Sequence, residues 1–364
     1  MKARALKLTA LFAGLAVFGG IVYLARDSVV APSKVEQLGS ASPSPAVSIA
    51  GTPTAKSNDV IEDFLVRLQQ RRVTLAQMLE FRQTLLEGDP AKSIVAIRAF
   101  LATGKDVSTG LTFELGEGGN LDRAPTLRLL LLDLLGQLSR KAKTADASAV
   151  SKEILAEKKS SDEWAIALRN VAWTEPQSQS YLAAKFAEMA RHEPWRTRPG
   201  AGFLEAFDVA VYSREVSVLQ PLGELLQQPE TELQRAAAMA LDRLAALAPL
   251  EVMQQLNAQP GMFADSPFLR ADWFSKADLR DPAQRAAFET YLARGDVAMD
   301  EKSKAIKALA APGEFISDNL LTPPPAPADD SARDAAVLTA AKDWGTRFPE
   351  LSAPLTILRE RLGP

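Results

Sequence analysis

The chain has 364 residues, is 47% apolar and 24% charged, and carries a formal net charge of −3; it can bury a sizeable core and lacks the basic balance of a dedicated nucleic-acid binder. It contains no cysteine and one histidine, His192, which excludes disulfides, thiolate chemistry and a multi-histidine zinc site within one chain. Acid–base chemistry would fall on carboxylates, lysines or tyrosines.

Lys2, Arg4 and Lys7 precede an uncharged run from Leu8 to Ala25. A transmembrane helix needs about 20 largely apolar residues, with a lower bound of about 17. Residues 1–26 therefore read as a membrane anchor that keeps its positive flank in the cytoplasm. A cleaved signal is the alternative, but Pro32 follows the best small-x-small site, Val29-Val30-Ala31. The expected place is a bacterial inner membrane, single-pass, with the body on the extracytoplasmic, periplasmic side; cleavage would instead release the body. Residues 27–58 are rich in Ser, Pro and Ala and almost free of aromatics. Such a segment buries too little to offset ordering and reads as a flexible tether, with a reach of about 30 Å.

After Asn58 the spacing predicts an all-α body. Apolar residues recur at three and four from Leu233 through Ala237, Ala240, Leu241 and Leu244, one face of a helix. Asp89-Pro90 and Asp281-Pro282 each put a carboxylate cap before a proline at the first helical position. Thr231 with Gln234, Ser160 with Glu163, and Ser331 with Asp334 resemble capping boxes. Helices are predicted over 59–71, 74–87, 90–103, 125–141, 146–157, 161–172, 177–191, 201–212, 215–227, 231–247, 249–257, 282–294, 301–310, 332–345 and 353–362, with breaks at Gly88, Gly104, Pro229, Gly295 and Pro312. The domain reading is a helical body over 59–313, a proline-rich linker over 314–331 and C-terminal helices over 332–364.

Between the third and fourth helices lies "FELGEGGNLDRAPTLR", from Phe113 to Arg128. It lacks the lysine and hydroxyl of a P-loop, and its sixth position, Leu121, breaks a dinucleotide fingerprint. No nucleotide and no cofactor is expected. Thr112 to Leu115 could form one strand, with no second strand evident to pair with it. The expectation is an irregular connection whose glycines permit positive φ, with Phe113, Leu115 and Leu121 folded onto the core and Asp122 and Pro125 starting the next helix. That helix is apolar nearly all round, interrupted by Asp133.

Arg191, His192, Trp195, Arg196 and Arg198 form the densest unusual cluster. Guanidinium forks and an aromatic could hold an anion or an acidic partner segment; the alternative is an interhelix loop with Trp195 on a core edge. Trp164, Trp173, Trp273 and Trp344 read as core. Leu321 to Pro327, "LTPPPAP", reads as an exposed polyproline II spacer to two helices that pack back as a cap. No catalytic or metal-ligating set stands out.

Helix pairs spaced by some 30–40 residues, with alanine- and leucine-rich inner faces, resemble HEAT- or TPR-like α-solenoids over about residues 59–313. A weak echo between Asp89–Val107 and Asp281–Val297 agrees with stacking. The resemblance implies a scaffold or binding surface and assigns no functional residue. The function expected is a membrane-tethered extracytoplasmic scaffold that grips a protein partner on its concave face. The alternatives are a cell-envelope enzyme, such as a helical glycosidase or lytic transglycosylase, and a self-assembling envelope protein. The chain lacks Glu-Ser, Ser-x-x-Lys, Gly-x-Ser-x-Gly and His-Glu-x-x-His.

Overall fold

The computed structural model describes residues 57–70, 73–116, 119–313, 321–324 and 330–363. The anchor expected over residues 8–25 and nearly all of the tether lie outside them. No helix among the described residues is long and apolar enough to cross a membrane. Helix α1 (Ser57–Gln69) leads to α2 (Leu75–Glu87) and α3 (Pro90–Ala102). Thr74 and Gln77 form a full capping box on α2: Thr74 Oγ1 accepts from Gln77 N at 3.3 Å, and Gln77 Oε1 accepts from Thr74 N at 2.9 Å. Asp89 caps α3 through Ala91 N at 3.0 Å, with Pro90 in the first turn. Phe64 and Phe81 stack at 3.9 Å between α1 and α2.

The glycine-rich connection is a hairpin, not an unpaired strand. β1 (Glu114–Leu115) pairs antiparallel with β2 (Leu121–Arg123). The signal missed was the turn: Gly119 has a φ of 76, which lets Asn120 O accept from Gly116 N at 2.8 Å. Asp122 does not cap the next helix; it faces Arg82 at 3.6 Å. Helix α4 (Leu127–Ala142) starts two residues past Pro125, because Thr126 Oγ1 caps it through Leu129 N at 3.2 Å. Asp106 adds an acceptor for Arg128 N at 3.1 Å. The leucines of α4 are buried, as its apolar circumference requires.

Next come α5 (Asp146–Ile154), α6 (Ser161–Thr174), α7 (Gln179–Ala190) and the short α8 (Glu193–Thr197). Ser160 caps α6 through Glu163 N at 3.3 Å. The reciprocal half of that box is absent, because Glu163 pairs with Arg128 at 3.0 Å. The single helix expected over 201–212 is split into α9 (Ala201–Glu205) and α10 (Phe207–Ser213). Helices α11 (Leu219–Leu226), α12 (Thr231–Leu247) and α13 (Pro249–Ala258) follow. The box expected at Thr231 is not formed: Glu230 sits at the N-cap, and Thr231 is already inside the helix.

Helix α14 (Pro267–Phe274) was not anticipated; it is only eight residues long, and its proline reads as a break. Helices α15 (Pro282–Ala293) and α16 (Met299–Ala308) complete this run, with Asp281 capping α15 through Ala283 N at 2.8 Å. Arg270, Tyr291 and Glu301 tie α14, α15 and α16 together. Arg270 donates to both Glu301 oxygens at 2.7 and 2.8 Å, and Tyr291 OH donates to Glu301 Oε1 at 3.0 Å. Burial, with Glu301 beside it, pushes the Tyr291 hydroxyl well above the usual tyrosine range.

Helices α17 (Asp330–Arg347) and α18 (Ser352–Leu362) pack back on α15 and α16. Trp344 stacks on Phe288 at 5.2 Å and donates to Glu289 at 2.9 Å. Ser331 caps nothing, since α17 starts at Asp330. The described body is mostly helical, and its helices pack on neighbours one to three places along the chain: α3 on α4, α4 on α6, α6 on α9, α7 on α10, α10 on α12, α13 on α15, α14 on α16. Many of the packed helix pairs are antiparallel. Trp164, Trp273 and Trp344 are fully buried and Trp173 half-buried, so the tryptophans are core residues.

Candidate functional site

Asp133 interrupts the apolar face of α4 and is fully buried. A buried carboxylate must be paired and hydrogen-bonded. Arg169 of α6 meets it at 2.6 Å. Leu121 N donates to its Oδ1 at 3.2 Å, and Gln137 Nε2 donates to its Oδ2 at 2.7 Å. Arg169 also donates to Gly119 O at 2.6 Å, and its guanidinium lies 4.0 Å from the Trp173 ring. Burial lowers the Arg169 pKa, and Asp133 opposes that shift.

The glycine loop is therefore neither a phosphate cradle nor a loose hinge. A phosphate cradle turns backbone N–H groups toward its anion. Here two backbone carbonyls, Gly119 O and Leu121 O, face guanidinium groups; Leu121 O accepts from Arg82 at 2.7 Å. The hairpin is fastened to α2, α4 and α6 at once.

One small cavity borders this network. Leu115 and Gly119 from the hairpin, Ala165, Ile166 and Arg169 from α6, Glu205 and Val209 from α9 and α10, and Leu321 line it. Leu321 belongs to the proline-rich stretch, 314–331, that reads in sequence as an exposed spacer. Leu321 and Thr322 are buried, while Pro323 and Pro324 are exposed. The reason is chemical: Leu321 fills an apolar recess, and the Thr322 hydroxyl sits between Asp208 of α10 and Arg243 of α12, bonded to both. Asp208 and Arg243 also pair directly. The free space left is about that of one water molecule.

Burial pushes the Asp208 carboxyl up; Arg243 and the Thr322 hydroxyl hold it back. Burial, then the charge of Asp208, pushes the Glu205 carboxyl up in the same direction. Glu205 is nonetheless exposed at the surface of the body, so only the inner side of its carboxyl is shielded from water. Asp208 Oδ2 is buried without a partner among the described residues.

The sequence-derived cluster lies elsewhere, at the end of α7 and on α8. Trp195 is buried, edge-on to Trp164 at 5.4 Å, and the His192 ring packs on it at 4.2 Å. Arg191 faces Glu224 at 3.5 Å, and Arg196 donates to Gln228 at 3.0 Å. Arg198 is exposed. Arg191 and Arg196 thus each engage a side chain at or just past the C-terminal end of α11. Among the described residues no group of His, Asp and Glu is placed to hold a metal ion.

Sequence reasoning missed Arg169, Glu205, Asp208, Arg243 and Thr322. Asp133 was the only visible signal, a lone charge inside a leucine run. Its partner lies 36 residues away, and Thr322 lies 114 residues from Asp208; no local spacing links them. Compared with protein-family models, curated proteins and solved structures, the chain has no significant match.

Proposed function

We propose that the chain is a scaffold of HEAT/TPR-like helix pairs, held near a bacterial inner membrane on its extracytoplasmic side by residues 8–25, that binds another protein. One observation carries this reading: the hairpin, α6, α10 and α12 build a recess that receives a segment from outside the helices, Leu321 against apolar groups and the Thr322 hydroxyl between Asp208 and Arg243. Serial helix packing supports the solenoid assignment, since such stacks offer side chains from many turns to a long ligand. The Leu8–Ala25 run and the Ser/Pro/Ala-rich stretch after it support the tether.

The test is a cross-linked pull-down from detergent-solubilised host membranes, with the full chain as bait and residues 1–58 as control. A protein recovered only with the full chain is the expected result; recovery of nothing specific at good expression sinks the reading.

A cell-envelope enzyme is the second reading, favoured by one observation. Glu205 and Asp208 are both held above the usual carboxylate range beside a cavity, as general acids are. Hydrolysis of cell-wall glycan by the full chain, abolished in Glu205→Gln, would establish it.

A further inference from the structure

The cavity beside the hairpin has a divided lining. Ala165, Ile166 and Val209 give it apolar walls, while Gly119, Arg169 and Glu205 bring polar groups to it. A purely apolar cavity can stay dry. One that borders a guanidinium, a carboxylate and a carbonyl is different, because a buried polar atom left without a hydrogen bond is costly. Arg169 has such an atom. Its Nη1 donates to Gly119 O at 2.6 Å, and its Nη2 donates to Asp133 at 2.6 Å and to Asn170 Oδ1 at 3.3 Å. Its Nε–H is buried without a partner among the described residues. A long helical side chain runs back over the preceding turn. For Arg169 that turn holds Ala165 and Ile166, both in the cavity wall, which sets the Nε end of the side chain against the cavity.

The lining also decides what fits. The free space is about that of one water molecule. A halide would accept from the Nε–H but would lie against the Glu205 carboxylate. A metal cation would suit Glu205 but would meet the charge of Arg169. A neutral molecule that both accepts and donates serves all three groups. Gly119 O already accepts from Arg169, and a carbonyl oxygen has a second lone pair. Burial and then Asp208 push the Glu205 carboxyl up, while Arg243 and then Arg169 pull it down. Arg169 and Glu205 thus act on each other across the cavity.

We propose that this cavity is a binding site for one ordered water molecule, which accepts from the Arg169 Nε–H and donates to the Glu205 carboxylate and to Gly119 O. Three hydrogen bonds are typical of a buried water. The water extends a polar chain from buried Asp133 through Arg169 to Glu205 at the surface. It also fastens α9 to α6 and to the hairpin, three elements that the sequence sets far apart. The site is a property of the helical body and does not rest on the scaffold reading.

The test is a rotating-frame Overhauser spectrum of the detergent-solubilised full chain, labelled with nitrogen-15 in arginine only. The Arg169 Nε–H signal is identified by its loss in Arg169→Lys. It should show a cross-peak to water with the sign of a dipolar contact, which is opposite to that of proton exchange. Glu205 is exposed, so replacing it removes little packing. Glu205→Gln keeps an acceptor and should keep the cross-peak. Glu205→Met has a similar length and no such acceptor. It should weaken the cross-peak at least threefold and melt at least about 2 °C below Glu205→Gln. Both variants lose the charge, so their difference isolates the hydrogen bond. No dipolar cross-peak in the unaltered chain, an undiminished one in Glu205→Met, or equal Tm for the two variants overturns the proposal. Should the arginine signal be too broad to read, the Tm comparison decides alone: Glu205→Met below Glu205→Gln supports the water site, and equality or the reverse order overturns it.

Discussion

Single side chains decide the site through charge. Arg169 satisfies Asp133 and Gly119 O together, so Arg169→Met leaves a carboxylate and a carbonyl without their cation. Breaking one side of a buried pair costs about 3–5 kcal/mol, and urea unfolding of Arg169→Met should show a loss of that size. Adding Asp133→Leu removes the stranded charge, so the double variant should lose clearly less than the sum of the singles. Strict additivity would show that the pair is not coupled. Asp162 offers a pH test. Burial raises its carboxyl above the ordinary aspartate value, while Gly202 N, donating at 3.2 Å, opposes that shift. A raised acid binds its proton more tightly folded than unfolded. Its contribution to stability is therefore lost as pH rises from about 4 through the raised value, and is flat above it. Asp162→Asn keeps the acceptor and removes the charge, so urea melts at stepped pH should show a shallower fall of stability over that window. An unchanged slope would contradict the assignment.

Helix by helix, local chemistry was legible where it acts locally. Asp89-Pro90 and Asp281-Pro282 cap as expected, and the boundaries of α12 match those predicted. Local reading failed where partners are distant or ambiguous. Asp122 reads as a cap but faces Arg82; Thr231 reads as a cap but yields to Glu230; β2 is hidden because its partner strand has only two residues. The α4–α6 contact shows tertiary packing overriding propensity. Gly136 lies inside α4, where alanine would gain about 1 kcal/mol. A Cβ there would run into the Asn170 amide, which donates to Leu132 O at 2.8 Å. Overpacking costs about 1–3 kcal/mol, and the amide bond is lost with it. Gly136→Ala should therefore lower stability in thermal unfolding despite its better helix propensity. A rise in Tm would mean that α4 and α6 sit further apart than described.

Across the whole molecule, the all-α class was legible because helical periodicity and caps repeat along the chain. The site was not legible, because it joins a hairpin near residue 115, a helix near 169, two more near 208 and 243, and a proline-rich stretch at 321. Those separations carry no sequence period. The C-terminal helices belong to the same packing scheme: Trp344 stacks on Phe288 and bonds Glu289. Trp344→Ala should cost about 3–5 kcal/mol and, in limited proteolysis, should make α17 and α18 the first elements cut. Cleavage beginning at α1 instead would contradict that packing.

The central claim, that the recess beside Arg169 and Asp208 receives a protein partner, is tested most directly by site-specific photocross-linking in the native host. A benzophenone residue is placed in the full chain at Glu205, which lines the recess and keeps solvent access, or at Val95, which is 63% exposed on α3. The account expects a discrete higher-mass adduct from position 205 and none from position 95. Adducts from position 95 alone, or from neither position at good expression, would contradict it.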